Sequence, residues 1–132
     1  MSPDSFTDIK IIGLDVDATQ PSQAAAGLRH MYLRLSAQPS SEWQELFDQE
    51  RQFPRHSMWR EAWIEGNFIV VDCVPEEIEQ YHLRDLKEDV AKTNQNYRDY
   101  LARVARAQEQ QEEREQKEKS RLEDLKSRLE FD

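Results

Sequence analysis

The sequence predicts an α+β fold: a small four-stranded sheet in the order β-β-α-β-β, one packed helix and a long C-terminal helix. Three observations carry this. Short runs rich in Ile, Val and aromatic residues recur before about Leu101, and two of them flank Gly66-Asn67. One amphipathic helical pattern, from Ser41 to Phe53, lies between the two strand pairs. After Pro75 no proline or glycine occurs, and apolar residues recur at spacings of three and four.

The first strand is expected over Ile9–Val16, rich in Ile, Val and Leu, with Lys10 the only charge before Asp15. DATQPSQAAAG follows as a connection, with a helical turn expected at Ala24-Ala25-Ala26 and a stop at Gly27. MYLRLS then alternates, placing Met31, Leu33 and Leu35 on one face of a half-buried strand. Gln38-Pro39-Ser40-Ser41 breaks the chain and opens the helix, with Ser41 and Gln44 at capping-box spacing. Trp43, Leu46, Phe47 and Phe53 are expected on its buried side, and Pro54 to end it.

The second strand pair is MWREAWIEGNFIVVDCVP. Gly66 and Asn67 tolerate positive φ and suit a tight hairpin turn. Trp59 and Trp63 share a face with Glu61 and Glu65, so at least one indole belongs at an edge. FIVV is apolar on both faces, which predicts a strand covered on each side.

Pro75 suits a first helical turn, and Glu76 and Glu77 suit the positive end of the helix dipole. Leu83, Leu86, Val90, Thr93, Tyr97, Tyr100 and Val104 form a packing seam. Then the pattern fades. Residues 105–120, ARAQEQQEEREQKEKS, have no large apolar side chain, and the seam returns only as Leu122, Leu125 and Leu129. The steps from Val104 to Leu122 and Leu129 fit a straight helix. Glu113 with Lys117 and Glu115 with Lys119 are opposite charges four apart, each worth about 0.2–0.5 kcal/mol to a solvated helix. The expected organisation is a domain over 1–104 and a charged helical extension over 105–132 that projects and can form a coiled coil.

Charge and cysteine content narrow the function. The formal net charge is -9 over 132 residues, which disfavours nucleic acid and anionic membrane as partners. The halves are alike: residues 1–75 hold 11 acidic and 6 basic side chains, so neither end is a basic arm. Cys73 is the single cysteine, as suits a reducing, cytoplasmic setting. No secretory signal or membrane-spanning run is expected from the sequence.

One stretch looks like chemistry. IKIIGLDVDAT resembles the first motif of haloacid-dehalogenase-type phosphotransferases, an apolar strand closed by Asp-x-Asp-x-Thr. The resemblance implies Asp15 as nucleophile, Asp17 as acid and base, Ser36 and Asp72 as later strand-end groups, and magnesium on the phosphate. Two features oppose it. No lysine lies between Lys10 and Lys87 to balance an anionic intermediate, and a tight hairpin leaves no room for several parallel crossovers. The acids read better as strand-end and turn residues.

Other sites are sparser. His30, His56 and His82 are far apart, and His82 with Asp85 is only a pair, so no metal or cofactor is expected. Cys73 reads as a small core residue. Arg51, Arg55, Trp59 and Arg60 form the one basic and aromatic patch, a candidate nucleic-acid surface whose simpler reading is pairing with neighbouring acids. LSAQPSSEWQELF and WIEGNFIVVDCVP have the character of a small bacterial domain. The sequence therefore predicts a non-enzymatic accessory protein. It would bind a protein partner or a second copy through Leu122, Leu125 and Leu129, with a nucleic-acid-associated factor as the alternative and a magnesium-dependent phosphotransferase as a remote one.

Overall fold

The computed structural model describes residues 2–23 and 25–132. A 3-10 turn (Pro3–Ser5) precedes β1 (Ile11–Pro21), β2 (Arg29–Leu35), α1 (Ser41–Glu50), β3 (Ala62–Glu65) and β4 (Phe68–Cys73). A π-helical turn over Ile78–His82 leads into α2 (Leu83–Arg128). The class is α+β, as predicted. The expected helical turn at Ala24–Ala26 falls partly outside the described residues.

The sheet order is β1-β2-β4-β3, with every neighbouring pair antiparallel. The last two strands are thus inverted relative to chain order. A hairpin can add either strand to β2, and burial decides which. β4 carries Ile69, Val70 and Val71, all fully buried, whereas every residue of β3 keeps some exposure. The apolar strand takes the centre and the mixed strand takes the edge. The hairpin turn lies where the sequence put it, with Glu65 opposite Phe68 and Gly66 at φ +56°. Positive φ at the first turn residue alone is the requirement of a II′ hairpin.

Cross-strand register divides the sheet into two faces. Met31, Leu33 and Leu35 on β2 stand with Ile69, Val71 and Cys73 on β4, and all six are buried. Trp43 and Phe47 of α1 and Leu86, Val90 and Thr93 of α2 are buried with them. On the opposite face Val70 lies between its cross-strand partners Tyr32 and Trp63. Edge-to-face pairs of Tyr32 with Phe68 (5.5 Å) and His30 with Trp63 (5.4 Å) continue that aromatic layer. Val70 is thereby covered by its own neighbours in the sheet.

Helix α1 differs from expectation at both ends. Its N-cap is Ser40, whose Oγ accepts from Trp43 N–H at 3.2 Å, while Gln44 Nε2 reaches back to Pro39 O. The helix stops at Glu50, and Phe53 is 74% exposed rather than on the packed side. Pro54 disfavours helical backbone at Phe53. Arg51, at the C-cap, turns its side chain inward instead.

Strand β1 runs past the acids that were expected to end it. Between Asp15, opposite Tyr32, and Gln20, opposite His30, its register slips by several residues. Asp15 closes this bulge by accepting Ala18 N–H on Oδ1 at 3.1 Å. Pro21 is tolerated because β1 is an edge strand.

The chain separates into two compact units, Thr7–Tyr97 and the N-terminal residues to Phe6 with Arg98–Asp132. In the second unit, Arg98 lies over the Phe6 ring at 5.2 Å, Leu101 is buried, and every residue from Arg106 onward is exposed.

Candidate functional site

The arginine patch is real as a cluster, but carboxylates already occupy it. Arg51 Nη1 donates to Asp89 Oδ2 at 2.5 Å, with both side chains buried, and Arg51 Nη2 donates to Arg60 O at 2.9 Å. Arg55 pairs with the other Asp89 oxygen and lies 3.7 Å from Glu50. Arg60 holds Glu77 through Nε and Nη2 at 3.0 and 3.1 Å, and His56 meets Asp85 at 2.6 Å. The Trp59 ring contacts two cations, with the Arg51 and Arg55 guanidiniums 4.0 and 4.7 Å from its centroid.

Burial lowers the affinity of the Arg51 guanidinium for its proton, and the Asp89 bond opposes that shift. The hydrogen bond from Arg60 holds Glu77 below the usual glutamate range. A phosphate binding at Arg51 would have to displace Asp89 and leave that carboxylate buried without its partner. Breaking a buried pair costs about 3–5 kcal/mol. The acids that neutralise the patch are Asp89, Asp85 and Glu77 on the following helical segment, together with Glu50.

The four residues of the phosphotransferase-like motif do not converge. Ser36 follows the end of β2, where its Oγ accepts from Lys10 N–H at 2.9 Å. Asp72 lies opposite His30, near the start of β2. Six residues of extended strand separate these positions, roughly 20 Å. Asp15, opposite Tyr32, is held by Arg34 at 3.0 Å and by the bulge. Among the described residues no group of three His, Cys, Asp or Glu is placed to hold a metal ion. The antiparallel sheet also lacks the parallel crossover on which such a motif is built.

The other reactive side chains are buried or paired. Cys73 is buried at the end of β4, and burial pushes its thiol up to about 12, far from the thiolate a nucleophile needs. His82 and Asp85 turn to different partners, His82 to Glu77 at 3.0 Å and Asp85 to His56.

Among the described residues, the leucine triplet is one of two stretches of exposed apolar surface. Leu122, Leu125 and Leu129 are 52%, 43% and 49% exposed. Leu122 and Leu125 lie in the regular part of α2, and Leu129 follows its end with its N–H on Lys126 O at 3.2 Å. Among the described residues no helix is long and apolar enough to cross a membrane. A second apolar stripe, Ile12, Leu14 and Val16, is exposed on the edge strand β1.

Sequence reasoning missed two buried polar residues, Asp89 and Asn94. Both carried a signal: Asp89 sits three residues after Leu86, and Asn94 sits four after Val90 and three before Tyr97, on the packed side of the helix. A polar group there must have a partner. No protein-family model, curated protein or solved structure matches the chain.

Proposed function

We propose that this chain is a non-enzymatic accessory protein that binds a protein partner or assembles through the leucine-bearing end of α2. The supporting observation is the exposure of Leu122 and Leu125 on a helix otherwise clothed in charge, with Leu129 continuing their a/d spacing just past its end. Large apolar side chains aligned on one side of a solvated helix favour a second helix that can bury them. A cytoplasmic setting suits the free, buried Cys73.

A nucleic-acid-associated role for Arg51, Arg55, Trp59 and Arg60 has less support, since a single strand would compete with carboxylates already in place. A phosphotransferase role has less still, given the separation of Ser36 from Asp72.

The test is solution mass. The wild-type chain, alone at rising concentration or with its partner co-purified, is expected to sediment above the 15.7 kDa of one copy. A chain with Leu122, Leu125 and Leu129 changed to serine is expected to sediment as one copy. Identical masses for both proteins in every condition would end this reading.

A further inference from the structure

The leucine end of α2 has a charge pattern that selects its partner. The last residues repeat with a period of seven, SRLEDLK followed by SRLEFD. With Leu122 and Leu129 at position a of a heptad and Leu125 at d, the flanking e and g positions are Lys119, Arg121, Lys126 and Arg128. All four are basic. The acids Glu123, Asp124 and Glu130 fall at b and c, away from the seam. An apolar stripe bordered by positive charge thus sits within a chain whose net charge is -9.

This arrangement opposes self-pairing in either direction. In a parallel pair, g of one helix faces e of the other, bringing Arg121 against Lys126 and Arg114 against Lys119. The next seam positions, Glu115 and Glu118, would face their own copies. In an antiparallel pair, g faces g and e faces e, so arginine meets arginine and lysine meets lysine. Repulsion of this kind is how helix pairs reject wrong partners. The intrachain contact of Arg121 with Glu118, at 2.9 Å, is largely exposed to solvent and is readily exchanged.

We infer that Leu122, Leu125 and Leu129 dock an amphipathic helix of a different protein, one with an apolar seam bordered by Glu or Asp. This rests on the protein-binding reading above and names the partner's chemistry. Such a helix would bury the leucines and place its acids against Lys119, Arg121, Lys126 and Arg128. A bilayer is the poorer match, because the apolar stripe is a narrow a/d seam and Glu123 and Asp124 sit directly between its leucines along the chain.

The experiment uses the full chain and two fluorescent peptides about four heptads long, with leucine at a and d. One carries glutamate at every e and g, the other lysine. The glutamate peptide is expected to bind at least about tenfold more tightly, and to weaken as salt rises. A chain carrying Lys119→Glu, Arg121→Glu, Lys126→Glu and Arg128→Glu should reverse the preference. Equal binding of both peptides, or none by the glutamate peptide, overturns the inference.

Two further outcomes separate it from the broader reading. If the chain self-associates through its leucines and ignores the glutamate peptide, the protein-binding reading stands and the inference fails. If the Leu122, Leu125 and Leu129 to serine chain binds the glutamate peptide as well as wild type, the seam is not the site and both fail. Tighter binding to vesicles of phosphatidylserine and phosphatidylcholine than to the peptide would overturn it in favour of a membrane.

Discussion

Asn94 holds Ile9 by both backbone groups: its Nδ2 donates to Ile9 O at 2.9 Å and its Oδ1 accepts from Ile9 N–H at 3.1 Å. A side-chain amide here completes a backbone pairing as a neighbouring strand would. The same Oδ1 accepts from Trp43 Nε1 at 3.0 Å. One buried residue on α2 therefore ties the segment before β1 to α1, across 85 and 51 positions of sequence.

Replacing Asn94 with leucine should be costly for that reason. The change leaves the Ile9 N–H and C=O and the Trp43 indole N–H buried without partners. Each such group costs about 1–3 kcal/mol, so a total near 3 kcal/mol is expected after local relaxation. Urea denaturation followed by tryptophan fluorescence measures it. A loss below about 1 kcal/mol would mean that these bonds do not organise the core.

The Arg51–Asp89 pair makes a sharper case. Asp89→Ala strands the buried Arg51 guanidinium and should destabilise the domain by about 3–5 kcal/mol. Arg55→Ala removes a half-exposed partner of the same carboxylate and should cost much less. The double change Arg51→Met with Asp89→Leu should recover most of the loss, because it removes both charges. Chemical-denaturation curves of these three variants and wild type decide whether the interaction is interdependent in this way.

Acid sensitivity should track Glu77. Its pKa is lowered first by the Arg60 hydrogen bond, and the His82 bond adds to this. A carboxylate with a depressed folded-state pKa contributes stability that is complete above its unfolded value, ordinarily 4.5. That contribution disappears as pH falls through the folded value. Glu77→Gln should thus lower stability at neutral pH and flatten the decline below about pH 4.5. An unchanged acid limb in the variant would show that other carboxylates control it.

The elements that could be read from sequence share a property: their signals are local. The hairpin at Gly66-Asn67 depends on the positive φ of one glycine between two β-forming runs. The alternation of Met31, Leu33 and Leu35 and the three-and-four spacing from Leu86 to Tyr97 report which side is buried, and those residues are buried. The candidate sites were harder because their meaning depends on distant groups. Arg51, Arg55 and Arg60 look like a phosphate-binding patch until Asp89 and Glu77 are brought against them. Asp15 looks like a strand-end nucleophile until the bulge turns it onto Ala18 N–H.

By itself the sequence determined the α+β class, the number of strands, the hairpin, the long helix and the leucine triplet at its end. Each follows from propensity, turn chemistry or periodicity within a few residues. Only the tertiary structure decided that β4 lies inside and β3 at the edge, that β1 bulges at Asp15, and that the arginine patch is internally neutralised. Those outcomes come from competition for burial and for charge partners among residues far apart in the chain, such as Arg51 and Asp89 at a separation of 38. No local pattern encodes the result of that competition.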